Sequence, residues 1–302
     1  LFMISGFDRY YQIVRCMRDE DLRADRQPEF TQLDMELAFV DEDDIRSLID
    51  RLLSKLFDEL LGVQVELPIP TMEYQEAMAR FGSDRPDTRF ELYIQDVSAE
   101  AGATDFQVFS KAVESGGVVR GIRVPGGATL SRKDIDGCES VAKSFGAKGL
   151  AWMKLEAEGA KGPIAKFIGD EGEAALRKAF EAAEGDLLLL VADKESVAAT
   201  SLGEVRLHLG EKLELIPDGR YDLLWVTDFP LLDWNEDEKR YHACHHPFTS
   251  PRAEDLELLD GLFVPQPNVA PILIFRTRVF LLVSNGRCRR SAMRAIRAAW
   301  YV

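Results

Sequence analysis

Two stretches near the start of the chain alternate between apolar and polar residues, which is the pattern of half-exposed β-strands. The first runs from Phe7 to Arg18 and the second from Phe30 to Phe39. A densely charged segment that contains a proline separates them, and such a composition is typical of a loop. Because two alternating segments joined by one loop pair most simply with each other, the pattern predicts a long antiparallel hairpin.

The period then changes to that of an amphipathic helix. Apolar residues recur at helical spacing from Ile45 to Leu60, acids fill the first turn after Asp41, and Gly62 follows the last turn. Acids at the start and glycine at the end are the usual signals of helix termini. We interpret the apolar stripe as a core-packing face, and we predict a second helix over residues 72–82.

The middle of the chain, from residue 97 to about 210, has a self-contained α+β pattern. A helix is predicted to begin at Ser131, because Asp134 stands three residues further on, as in a capped helix start. A Pro-Gly-Gly turn precedes it. Strands are predicted near Phe106–Phe109, over Gly117–Val124, and later over residues 223–232 and 240–248.

Composition and charge argue for a globular protein and against several other classes. With 46% hydrophobic and 29% charged residues the composition is that of a globular protein. No apolar run approaches the roughly 18 residues of a membrane span, so no membrane association is expected. Four widely spaced cysteines favour a reducing, cytoplasmic location. The net charge of −15 argues against nonspecific nucleic-acid binding, although it leaves room for a local basic groove.

The charge pattern changes abruptly at residue 261. Residues 261–302 contain no Asp, Glu or Lys but have seven arginines. Three interpretations are open: a basic tail that binds RNA, a different domain, or a stretch translated out of frame, which we favour because the composition breaks so sharply. The chain opens at Leu1 without an initiator methionine, and we therefore expect it to begin inside a larger protein.

One face of the predicted hairpin carries groups suited to chemistry, since residues two apart on a strand share a face. A ring, an arginine and carboxylates together suit a ligand with a base, a phosphate and an amine. A solvated face with paired surface charges explains the pattern equally well. The polar face carries Tyr10, Gln12, Val14, Cys16 and Arg18, then Phe30, Gln32, Asp34 and Glu36. The opposite face of the second strand, predicted to be buried, carries Thr31, Leu33, Met35 and Leu37.

The hairpin sequence, FDRYYQIVRCMRDEDLRADRQPEFTQLDME, resembles motif 2 of the class II aminoacyl-tRNA synthetases in its bacterial aspartyl version. Two later segments agree in the same order, RFGSDRPDTRFEL and WVTDFPLLDWNEDEKRYHACHHPFTSP. Between them, VVRGIRVPGGATLSRKDIDG and GAKGLAWMKLEAEGAKGPIAKFI resemble the insertion domain of bacterial aspartyl-tRNA synthetases, which also occurs in amidotransferase subunits. The resemblance covers about residues 1–260.

The resemblance implies an α+β fold, in which an incomplete class II antiparallel-sheet catalytic core is interrupted by an α+β insertion domain. The implied boundaries are 1–96 for the core with motif 2, 97–210 for the insertion domain and 211–260 for the second part of the core. Residues 261–302 stay an unassigned Arg-rich tail. The metal-binding glutamate and the Gly-Leu-Asp-Arg segment that the family has after HHPFTSP are not found there.

The resemblance also implies the site residues. Arg18 matches the catalytic arginine that holds the α-phosphate of ATP and the carboxylate of aspartate, a task for a planar bidentate donor. Phe30 matches the ring that stacks under adenine, and Asp34 matches the acid that accepts the ammonium group. The ATP-binding residues are Arg18, Asp19, Glu20, Gln27 and Phe30, and the aspartate-binding residues are Arg18, Asp34, His245 and His246.

No metal ligands are predicted in this chain. A zinc site in the cluster His242–His246 is disfavoured, because neighbours on a strand point to opposite faces and cannot reach one tetrahedral ion.

The function so implied is an aspartate–tRNA ligase that activates L-aspartate with ATP and Mg²⁺ and transfers it to tRNA. The parent protein is expected to be a homodimer, and this chain alone is expected to be weak or inactive. The alternative is a non-catalytic paralogue that binds tRNA or an amidotransferase. Whether asparagine tRNA is also charged is not decided by these residues.

Overall fold

The computed structural model describes residues 1–19, 27–235, 238–244 and 280–285. The described chain divides into two compact units. The first contains Leu1–Thr71 and continues from Leu223, and the second contains Met72–Asp222. The second unit therefore includes all of the predicted insertion domain, residues 97–210, together with flanking residues on both sides.

The predicted hairpin is present in the first unit. Strands β1 (Arg9–Met17) and β2 (Glu29–Leu37) pair antiparallel as a two-stranded sheet, which confirms the strand prediction. The prediction that one face is buried is wrong. On that face Ile13 is 73% exposed, and Leu33 and Met35 are only half-buried. Exposure alternates along β1, and its exposed residues are the ones on this face, whereas its residues on the polar face are half-buried.

Helix α1 (Glu42–Leu61) follows the hairpin and has the predicted ends. The side chain of Asp41 accepts hydrogen bonds from the backbone of the first turn, and Gly62 takes the left-handed conformation that ends the helix. Asp50, buried in the middle of α1, accepts hydrogen bonds from Trp225 Nε1 at 2.7 Å and Ile69 N at 3.1 Å. These two bonds hold the helix against the later part of the same unit.

The strands after residue 220 differ in part from the prediction. Strand β9 (Tyr221–Thr227) ends earlier than expected, because Asp228 has a φ of 62° and breaks the extended backbone. The hairpin β10 (Leu232–Asn235) and β11 (Arg240–Ala243) follows. Residues 280–285, in the tail that the sequence left unassigned, form strand β12 (Phe280–Asn285). A further short strand, β3, lies at Thr71–Glu73.

The second unit is built on a five-stranded antiparallel sheet in the order β4-β5-β8-β6-β7. One hydrophobic cluster packs on each face, with Ile122 and Leu189 on one side and Val119 and Leu188 on the other. The strands are β4 (Ile94–Asp96), β5 (Val118–Val124), β6 (Ala151–Glu156), β7 (Gly159–Lys161) and β8 (Leu187–Asp193). The α-helices are α2 (Tyr74–Phe81), α3 (Ser98–Gly102), α4 (Gln107–Glu114), α5 (Arg132–Ser144), α6 (Ala165–Ala179) and α7 (Glu195–Lys212), with a 3₁₀ turn at Gly127–Thr129.

Two predictions in this unit have opposite outcomes. The helix expected at Ser131 is confirmed: Ser131 and Asp134 form a reciprocal capping box at the start of α5. The strand expected near Phe106–Phe109 is wrong, because these residues lead into helix α4. Phe106, Phe109 and Val113 recur at helical spacing and pack into the same cluster, so the helical period prevails over the short apolar run.

A buried arginine on α7, Arg206, hydrogen-bonds the backbone of the loop before β4. The guanidinium of Arg206 donates to the carbonyls of Asp87, Phe90 and Leu92 at 2.6–3.1 Å. It also lies 3.9 Å from the centroid of the Phe90 ring. Burial lowers the pKa of Arg206 to about 10, although the group stays charged at neutral pH. No described helix in either unit is both long and apolar enough to cross a membrane.

Candidate active site on the first hairpin

The register of the hairpin sets the order of side chains on its polar face. Cys16 stands opposite Phe30, Val14 opposite Gln32, and Gln12 opposite Asp34. Opposite residues in an antiparallel pair project from the same face of the sheet. The sequence therefore grouped these residues correctly, and the structure adds which of them are direct neighbours.

Arg18 and Phe30 meet at the open end of this face. The backbone N–H of Arg18 donates to the carbonyl of Pro28 at 2.9 Å, which extends the ladder by one pair beyond the strands. The Cζ atom of Arg18 lies 5.3 Å from the centroid of the Phe30 ring. This is a cation–π distance, so the guanidinium and the ring form one contiguous surface of charge and aromatic area.

Asp34 lies two pairs further along the same face. It is half-buried, and its Oδ2 accepts a hydrogen bond from Gln12 Nε2 at 3.0 Å. Between this pair and Phe30, the thiol of Cys16 donates to Gln32 Oε1 at 3.4 Å. At the far end the ring of Phe2 stacks on Tyr10 with centroids 4.9 Å apart. The polar face is thus bounded by an aromatic group at each end.

The other predicted site residues are placed as follows. Asp19 and Gln27 are exposed and lie two residues beyond the end of β1 and two residues before the start of β2. Glu20, His245 and His246 lie outside the described residues, so their predicted roles stay predictions. Gln12 was grouped on the polar face by the sequence but given no role, and its register opposite Asp34 is what draws attention to it.

A metal ion needs several converging oxygen, nitrogen or sulfur ligands. Across residues 1–19, 27–235, 238–244 and 280–285, no three His, Cys, Asp or Glu side chains lie close enough together to hold one. The described residues therefore form no preassembled cluster of three such ligands, and no step of the proposed chemistry passes through a metal.

Comparison with known proteins identifies the family. The model of the class II tRNA synthetases (D, K and N) matches residues 1–271. The chain belongs to this family. The match includes the hairpin and extends beyond residue 260, where the resemblance read from the sequence ended.

Several relatives of this chain carry the same name, aspartate–tRNA(Asp/Asn) ligase. A protein named aspartate–tRNA(Asp/Asn) ligase from Bacillus mycoides (strain KBAB4) is 56% identical over 287 residues, which are 95% of this chain and 47% of that relative. Proteins of the same name from Bacillus thuringiensis (strain Al Hakam) and Bacillus cereus (strain B4264) are 55% identical over the same shares. The chain spans about half the length of the curated relatives it matches.

Proposed function

We propose that this chain is part of an aspartate–tRNA ligase and that its first hairpin binds ATP and L-aspartate. The observation that carries the proposal is that Arg18, Phe30 and Asp34 project from one face of one ribbon. The similarity to synthetases named for aspartate supports it. The reaction would join the α-carboxylate of aspartate to the α-phosphorus of ATP, release pyrophosphate, and then transfer the aspartyl group to tRNA.

The spacing along the ribbon suits such a pair of substrates. Phe30 and Asp34 are four residues apart on one strand, a separation of about 13 Å at the usual rise per residue. Adenine would stack on the Phe30 ring, and the ammonium group of aspartate would bind the Asp34 carboxylate. Arg18 would hold the α-phosphate and the α-carboxylate between them, because a guanidinium donates two parallel hydrogen bonds and keeps its charge.

The first step of the reaction requires the protein mainly to position the two substrates. The aspartate carboxylate is already an anion at neutral pH, so its attack on phosphorus needs no general base. The hairpin would bring the two reactants together and stabilise the charge that develops on the phosphate oxygens. Mg²⁺, a cytoplasmic location, tRNA as partner and a homodimeric whole protein belong to the same proposal.

The proposal is tested by ATP binding to the 302-residue chain, measured by isothermal titration calorimetry. Changing Arg18 to Ala is expected to weaken binding about tenfold or more, because a charge-assisted contact to phosphate is lost. Arg15→Ala is the matched control. Arg15 lies on the opposite face, 70% exposed, and pairs with Glu29 at 3.3 Å, so it alters the net charge equally without touching the site.

An equal loss of affinity in both variants would mean a nonspecific charge effect and would contradict the proposed site. Complete absence of ATP binding would favour the non-catalytic alternative. Aspartate-dependent pyrophosphate exchange by the isolated chain is expected to be slow. Exchange at the rate of a complete synthetase would refute the view that residues outside this chain are required.

A further inference from the structure

One hydrogen bond on the polar face has no role in the proposed function so far. Gln12 Nε2 donates to Asp34 Oδ2 at 3.0 Å, between half-buried residues that stand directly opposite each other on the two strands. Within the part of the chain that the structure describes, no hydrogen bond reaches the other oxygen, Oδ1. Oδ2 is therefore held by Gln12, whereas Oδ1 accepts no hydrogen bond from a described residue.

A carboxylate on a strand has freedom about two side-chain torsions, and its terminal torsion is broad. A ligand that binds it must lose that freedom on binding unless a neighbour has removed it beforehand. Gln12 can do this because its backbone lies inside the ladder, directly opposite Asp34 and two residues from Tyr10, whose ring stacks on Phe2.

We propose that Gln12 is a positioning residue that orients Asp34 so that Oδ1 faces the ammonium group of L-aspartate. The inference rests on the proposed function, because it assumes that Asp34 accepts that ammonium group. Gln12 suits the task better than a charged donor. A lysine or arginine at position 12 would neutralise the carboxylate and weaken its attraction for the ligand, whereas a neutral amide fixes the geometry and leaves the charge in place.

The test compares two ligands that differ only at the group in question. Succinate keeps both carboxylates of aspartate but lacks the ammonium group. Gln12→Met preserves the length of the side chain and removes the donor. We expect it to weaken L-aspartate binding about tenfold and to leave succinate binding within about twofold, measured by ligand-observed NMR titration of the 302-residue chain into the millimolar range.

A double-mutant cycle separates positioning from a structural role. In the Asp34→Ala background there is no carboxylate to orient, so Gln12→Met should have no further effect on aspartate affinity. Arg15→Gln is the matched control, since it removes the cross-strand pair with Glu29 on the opposite face of the same strands. Amide hydrogen exchange over residues 9–17 and 29–37 checks that the ribbon is intact in every variant.

The outcomes distinguish the inference from the function on which it rests. Equal losses for aspartate and succinate, or additive losses in the cycle, would overturn the positioning role, as would full aspartate affinity in Gln12→Met. If Asp34→Ala leaves aspartate binding unchanged, the proposed role of Asp34 fails, and the inference fails with it. Absence of aspartate binding to the unaltered chain overturns both.

Discussion

Two antiparallel strand pairs in this molecule have opposite surroundings. The pair β5–β8 lies inside a five-stranded sheet with a hydrophobic cluster on each face, and Ile122 on β5 is fully buried. The pair β1–β2 forms a sheet of two strands, and Ile13 on β1 is 73% exposed. The same local preference for extended backbone therefore supports a core in one place and an open face in the other.

The comparison teaches what a binding face requires. The buried pair tolerates few polar groups, and those it has are paired, as Asp186 shows by accepting three hydrogen bonds beside β8. The hairpin pair carries Arg18, Phe30 and Asp34 on the face that we propose binds the substrates, where Phe30 and Asp34 are half-buried and Arg18 is exposed. Burial therefore contributes less to the stability of this pair than to that of β5–β8, since alternate residues of β1 face solvent.

The largest effect is expected from removing Arg206, the most deeply buried of the three buried arginines among the described residues of the second unit. Arg206→Met leaves the carbonyls of the loop at residues 87–92 without their donor, and we expect a loss of about 3 kcal/mol or more in the free energy of unfolding. Hydrogen exchange should rise over that loop and α7, measured by mass spectrometry. Arg132→Met is the surface control: Arg132 is 59% exposed and stacks on Trp152, and its loss should cost about 1 kcal/mol or less.

Next is a matched pair of truncations that tests the comparison directly. Ile122→Ala should destabilise the chain by about 2–5 kcal/mol, because it opens a cavity in a packed core. Ile13→Ala should change stability by no more than about 0.5 kcal/mol, because the side chain already faces solvent. Urea unfolding followed by circular dichroism measures both. A loss at Ile13 comparable with that at Ile122 would show that this face of the hairpin is covered in solution.

The smallest effect concerns pH. Burial by itself raises the pKa of Asp186, but hydrogen bonds from the backbone of Ala183 and Gly126 and from Arg123 outweigh it, and the pKa is lowered from 3.8. A depressed pKa stabilises the folded state above pH 3.8 and loses that contribution as the pH falls below it. Asp186→Asn should cost about 1–3 kcal/mol at pH 7 and flatten the decline in melting temperature from pH 4 to 2. The exposed Asp170→Asn should leave that decline unchanged.

Much of the fold could be predicted because some signals are local. The hydrophobic periodicity and the capping residues predicted the first hairpin, α1 and the start of α5. Each of these signals depends on residues within a few positions of one another. The segment Phe106–Phe109 was misread because its three apolar residues, Phe106, Val108 and Phe109, fit either period. Only the packing of Phe109 and Val113 into one cluster distinguishes the helix.

The candidate site shows the same division between local and tertiary information. The sequence by itself determined that Arg18, Phe30 and Asp34 share a face, because side chains on a strand alternate with a period of two. It also carried the family resemblance, which is a property of the residues alone. It did not determine the register, because a shift of two residues would put Tyr10 or Val14 opposite Asp34 and keep every side chain on its face.

Only the tertiary structure decided that Gln12 is the neighbour of Asp34 and that the apolar face of the hairpin lies open. The physical reason is that pairing and burial are set by atoms distant in sequence. A strand's own residues determine which faces it has, and its neighbours in space determine what each face meets.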